Sequence, residues 1–168
     1  MALNRVQDRL QPALLDRLTD DDPTNVIEAP EQRLINKSRL RELVLRDLSW
    51  LFNCTHLALD DALDAYPFVK RSVLNYGLPA LSGRTVSSLD AQSLEAQVKN
   101  AIMNFEPRIL EHTLGVEAVF SNTQVEHHNQ ISFRISGQVW AQPVPLELML
   151  QTNIDLETGL VEVKDLAR

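Results

Sequence analysis

The sequence predicts an α+β fold, with N-terminal helices packed on a small antiparallel β-sheet in a single domain. Apolar residues recur at three- and four-residue spacing as far as Phe105, and alternate beyond Gly115, so the period falls from helical to extended. The change happens once, around Pro107. Helices followed by strands, rather than the two in alternation, is the order of segregated layers and not of a parallel sheet with crossovers. At 168 residues the chain is long enough for one sizeable core.

Residues 1–30 read as an amphipathic arm and linker, and residues 31–168 as the folded domain. Pro12 suits the first turn of a helix, and Leu14, Leu15 and Leu18 then fall on one side. Asp20, Asp21, Asp22 and Pro23 end that segment, and the polar stretch to Pro30 reads as a linker. Leucines set apart by a linker have little of their own domain to bury against. Leu14, Leu15 and Leu18 are therefore candidate partner contacts.

The strongest helix runs from about Ser38 to Phe52, with Leu40, Leu43, Val44, Leu48 and Leu51 in one stripe and Glu42 paired to Arg46 on the wet side. A weaker segment covers Ala58 to Leu63. Ser72 to Tyr76 makes a turn of helix that Gly77 stops, and a loop follows. Ser87 or Ser88 is placed to cap the second long helix, with Asp90 in its first turn and Leu94, Val98, Ala101, Ile102 and Phe105 on the buried side. Pro107 ends it, because its ring clashes with the carbonyl four residues back.

Strands follow by alternation: Val116, Ala118 and Phe120; Ile131, Phe133 and Ile135 on to Trp140; and Leu146, Leu148 and Leu150 towards Leu156. Glu157-Thr158-Gly159 then turns the chain, and Leu160 to Val163 returns.

Composition narrows the function. A net charge of -7 argues against nucleic acid, which needs a basic face to displace counterions; the basic residues between Arg33 and Arg46 make a mild patch at most. The single cysteine, Cys54, allows no internal disulfide and favours the cytoplasm. No secretory signal or membrane-spanning run is read from the sequence, so no direct membrane insertion is expected. Cys54 and His56 are too few ligands for a structural zinc, and the adjacent His127 and His128 point to opposite faces of an extended chain. With no glycine-rich phosphate loop and no Gly-x-Ser-x-Gly elbow, neither cofactor nor metal is expected. A peptidoglycan glycosidase is the alternative class. It would need two opposed carboxyl groups, and Glu106, Glu111 and Glu117 are the ones to try.

The junction NFEPRIL sets Glu106-Pro107-Arg108 among apolar neighbours. One reading is a helix exit with two solvated charges. In an extended segment, however, residues two apart face the same way, so Glu106 and Arg108 would present an acceptor and a planar donor fork to one target. That suits docking onto a partner.

Taken with LLDRLTDDDP, LRDLSWLFN, SVLNYGLPALSG and DLETG in this order, FEPR gives the chain a close resemblance to the TssE family. These are small baseplate subunits of bacterial type VI secretion systems, within the lysozyme-like wedge proteins of phage contractile tails. The resemblance implies a non-enzymatic part of a cytoplasmic injection machine docked at the inner membrane. Its implied partners are the wedge proteins TssF and TssG, nearby TssK, and the sheath proteins TssB and TssC around the Hcp tube. It also implies that Glu106, Pro107 and Arg108 contact the wedge core, and that the strand-rich half seeds the sheath at an open edge.

Overall fold

Pro107 is where the chain passes from helix to sheet in the computed structural model, which describes residues 10, 12–19, 24, 35–57, 63–83, 90–119 and 130–166. The helical part comprises α1 (Leu14–Leu18), α2 (Lys37–Phe52), α3 (Pro67–Lys70) and α4 (Ala91–Phe105), with a single 310 turn at Val73–Asn75. After a second 310 turn at Glu111–Thr113 come β1 (Gly115–Val119), β2 (Gln130–Val139), β3 (Leu146–Asp155) and β4 (Val161–Asp165). The fold is α+β, as the sequence predicts.

Each long helix starts where a side chain can accept an orphan N–H. Asn36 caps α2 by accepting from the Arg39 N–H at 2.7 Å. Asp90 caps α4 by accepting from the Ser93 N–H at 3.1 Å. Asp90 is thus the cap and not a first-turn residue, which corrects the assignment of that role to Ser87 or Ser88; both serines lie outside the described residues. The Glu42–Arg46 pair is also corrected. Glu42 meets Arg39 at 3.3 Å, while Arg46 turns to two aspartates.

The sheet is a meander in the order β1-β2-β3-β4, antiparallel throughout. Its register sets Val116 opposite Ile135, Ile135 opposite Leu150, and Ile154 opposite Val161, so the apolar residues of all four strands share one face. Helix α4 lies against β1 and α2 against β4, and they cover that face side by side. Leu48, Ile102, Phe133, Ile135 and Leu150 are fully buried between the layers. Each such side chain contributes about 1.5–3 kcal/mol through area removed from water.

The strand edges are partly occupied by side chains. Glu95 of α4 accepts the Ala118 N–H of β1 at 2.7 Å. Asn53, just past α2, accepts the Val161 N–H at 3.0 Å and donates to the Val161 carbonyl at 2.9 Å, so its amide stands in for a neighbouring strand residue at the edge of β4.

Leu10 is buried in the same core at 4% exposure, although it belongs to the segment read as an arm. Phe120, His127 and His128, the run Asp20–Asp22, and residues 58–62 lie outside the described residues. The strand reading of 116–120 and the weak helix of 58–63 are therefore visible only in part.

Candidate functional site

The Glu106-Pro107-Arg108 segment is a turn pinned at both ends. The Ile109 N–H donates to the Glu106 carbonyl at 3.1 Å, which leaves Pro107 and Arg108 at the two central positions, with proline where its fixed φ suits the turn. On the helix side the Glu106 N–H reaches the Ile102 carbonyl at 2.8 Å. On the sheet side the Trp140 N–H donates to the Arg108 carbonyl at 2.7 Å, and the Leu110 N–H to the Gln138 carbonyl at 2.8 Å. The end of β2 thus holds the turn against the end of α4.

The two charges face each other rather than outward. Arg108 Nε lies 2.7 Å from Glu106 Oε1 and Nη2 lies 2.5 Å from Oε2, a bidentate pair. Both expectations for this motif are corrected: the segment is not extended, and the charges are not simply solvated. Glu106 is only 4% exposed. An ionised carboxylate buried without a counter-charge would be costly, so the guanidinium two residues on folds back over it.

Arg108 also reaches α2, with Nη2 2.5 Å from Asp47 Oδ2. Asp47 Oδ1 accepts from Arg46 Nε at 2.9 Å and Nη2 at 2.7 Å. Arg46 Nη1 lies 2.7 Å from Asp16 Oδ1 in α1. A chain of alternating charge therefore ties the turn to α2 and α2 to the arm. Burial opposes the charge on Arg108, but the hydrogen bonds and fields of Glu106 and Asp47 outweigh it and raise its pKa above the ordinary guanidinium value. Arg46 is raised for the same reasons, against burial, by Asp47 and Asp16.

Beside the turn lies an open, largely apolar groove of about 570 Å³. Pro12, Ala13 and Leu15 of the arm form one wall, Trp50 and Leu51 of α2 another, and Tyr76, Phe105, Pro107 and Trp140 complete it. Tyr76 and Phe105 pack edge to face with centroids 5.2 Å apart. The Arg46 guanidinium sits 4.8 Å from the Trp50 ring centroid. Trp50 and Trp140 are each nearly half exposed, at 49% and 43%.

The structure brings together Glu106, Pro107, Arg108 and Leu15 at this groove. Leu14 and Leu18 are the most exposed residues of the leucine set, at 69% and 74%, and they do not line it. Sequence reasoning missed Asp47, Arg46, Trp50, Tyr76 and Trp140. The two tryptophans carried a signal, since each stands at the end of an element and outside its buried stripe. Among the other candidates, Cys54 is an exposed free thiol and Glu111 and Glu117 are exposed. Among the described residues no group of three or more His, Cys, Asp or Glu is placed to hold a metal ion. No described helix is long and apolar enough to cross a membrane.

No curated protein and no solved structure matched the chain. A family model described as baseplate wedge protein gp25 matches residues 38–144, more than half of the chain. The match spans α2 to β2 and includes Asp47, Trp50, the Glu106-Pro107-Arg108 turn and Trp140, while α1, β3 and β4 lie outside it. The chain accordingly belongs to the gp25 family of baseplate wedge proteins.

Proposed function

We propose that this chain is a structural subunit of the baseplate of a bacterial type VI secretion system. In this reading it binds the wedge proteins TssF and TssG, lies near TssK, and helps to start the sheath of TssB and TssC. It works in the cytoplasm at a baseplate docked to the inner membrane. Family membership supports the coarser part, a structural role among other baseplate components. The finer part comes from the resemblance of the ordered sequence motifs.

One observation carries the reading: within the matched region, a turn fixed to both layers borders an open groove rimmed by two half-exposed tryptophans. Large aromatics that stay exposed beside a rigid frame are typical anchors for a partner, because they bury much area at little entropic cost. The groove, with Pro107 and Leu15 on its wall, is where the wedge proteins would seat. Docking of the exposed Leu14 and Leu18 would extend that contact along α1.

A sheath strand would add at a free sheet edge. Asn53 occupies the outward main-chain groups of Val161, so by alternation those of Val163 are the next along β4 to face outward. The glycosidase alternative gains nothing, since both carboxylate oxygens of Glu106 are turned to Arg108.

The test is co-purification with co-expressed TssF and TssG. Trp50→Ala, Trp140→Ala and Leu15→Ser should each reduce recovery of the wedge proteins while the melting curve of the isolated chain changes little. Full recovery with all three, and sheath foci of labelled TssB at wild-type frequency, would overturn the assignment of the groove.

A further inference from the structure

A helix of five residues is too short to keep its shape alone, and no residue of α1 is buried as a whole. Its conformation therefore depends on what the arm docks onto. Two fastenings supply it, one before the helix and one within it. Leu10 sits in the hydrophobic core, and the Asp16 side chain, 8% exposed, places Oδ1 2.7 Å from Arg46 Nη1. Asp16 Oδ2 also accepts the Ala13 N–H at 3.2 Å, so one carboxylate closes the first turn of α1 and ties it to α2.

Pro12, Ala13 and Leu15, held by these fastenings, are one wall of the groove that Trp50 and Trp140 rim. That wall lies outside the stretch matched by the family model, residues 38–144, and every other lining residue lies inside it. The groove stays open with the arm docked, and Leu15 is half exposed beside it, so the arm adds apolar surface to the groove without filling it. The charged groups that line it, Asp47, Glu106 and Arg108, are already paired to one another or to Arg46. An occupant therefore needs apolar side chains and no charge. Arg46 joins the arm to this rim: it holds Asp16, bonds Asp47 at 2.9 and 2.7 Å, and lies 4.8 Å from the centroid of the Trp50 ring.

We infer that the arm is a detachable wall of the groove, latched by Asp16, and that Arg46 is the positioning residue through which its docking sets Trp50. An apolar, uncharged segment of the wedge partner that covers Leu15 together with Trp50 and Trp140 binds the docked form more tightly than the released one. By linkage, the partner then holds the arm in place to the same extent that the docked arm strengthens the partner's binding. The inference rests on the groove being the wedge site and adds what governs that site.

The experiment titrates the full chain with the purified TssF and TssG pair and follows amide hydrogen exchange in Leu14–Leu18 with and without that pair. Asp16→Lys sets a second cation against Arg46 and should weaken binding roughly tenfold, the change expected if the docked fraction of the arm falls by that factor. The covered Asp16 carboxylate offers a partner little surface, so such a loss is not that of a direct contact. Asp16→Asn keeps an acceptor for the Ala13 N–H but removes the charge, and its affinity should fall between the two. In the wild type, addition of the wedge pair should slow exchange across α1. If Trp50→Ala weakens binding while Asp16→Lys binds as the wild type does, or more tightly, the groove stands as the wedge site and the inference is overturned. Exchange in α1 that the bound wedge pair leaves unchanged overturns it equally. No binding by the wild-type chain would remove both the inference and the reading it rests on.

Discussion

Arg108 and Asp47, 61 positions apart in the chain, meet at the junction of helix and sheet with Nη2 2.5 Å from Oδ2. That contact makes the Glu106-Pro107-Arg108 turn part of the fold's own structure as well as part of a surface. Arg108→Ala would leave Glu106 buried without a counter-charge, for which a loss of about 3–5 kcal/mol is expected. Urea denaturation of the isolated chain measures it. Removing both charges at once, with Glu106→Gln and Arg108→Met, should cost less than the single change. If Arg108→Ala unfolds at the wild-type urea concentration, the pair contributes nothing to stability. The expected instability also means that failed assembly of an Arg108 variant cannot by itself be read as a lost partner contact.

The arm should respond more locally. Asp16 holds α1 to α2 through Arg46, and the side chain of Asp16 is well covered although that of Arg46 is partly exposed. A pair of this kind contributes about 1 kcal/mol or less to global stability. Asp16→Ala should therefore barely move the unfolding midpoint. It should speed amide hydrogen exchange in Leu14–Leu18 and change the emission of Trp50, whose ring lies under Arg46. Unchanged exchange in α1 would show that the Asp16–Arg46 pair does not hold it in place.

Gly77 is required by both space and conformation. Its φ is +121°, and a Cβ there would stand 2.3 Å from the Cys54 carbonyl oxygen, where the backbone is paired by the Leu78 N–H to that oxygen and the His56 N–H to the Leu78 carbonyl. Gly77→Ala should cost at least about 2 kcal/mol, since strain and clash add. Gly83, at φ +79° with nothing within 4 Å of a Cβ, should lose about 1 kcal/mol on the same change. Thermal melts of the two variants compare them directly; equal losses would mean that the contact with Cys54 relaxes freely.

Periodicity was a reliable guide wherever burial alone decides the side chain's position. The stripe Leu40, Leu43, Val44, Leu48 and Leu51 is wholly buried, and so are Ile131, Phe133 and Ile135. The turn at 157–159 was equally legible, because Gly159 at φ +76° needs the residue that has no Cβ. The charged contacts were not. Arg46 has an acid four residues back and another next to it, and local spacing favours the first; only the arrival of α1 with Asp16 and of Arg108 beside Asp47 decides against it. For the same reason the sequence exposed the stiffness of the Glu106-Pro107-Arg108 segment but not its direction, which depends on burial of Glu106 by elements distant in the chain.

The turn between β3 and β4 gives a pH dependence with a definite sign. Asp155 Oδ1 accepts the Thr158 N–H at 3.2 Å and the Glu157 N–H at 2.8 Å, and these backbone donors hold its pKa below the ordinary value of 3.8. A carboxyl group with a depressed folded-state pKa stabilises the protein above its unfolded pKa, and that contribution is lost as the pH falls through the folded value. Asp155→Ala should therefore show its full stability deficit at neutral pH, and the gap to wild type should narrow as the pH falls below 3.8. Asp155→Asn keeps an acceptor oxygen but cannot ionise, so its smaller deficit at neutral pH should shrink, or reverse, over the same window. Urea midpoints of the three proteins across the acid range test this, and parallel curves throughout would show that the charge on Asp155 plays no part in holding the turn.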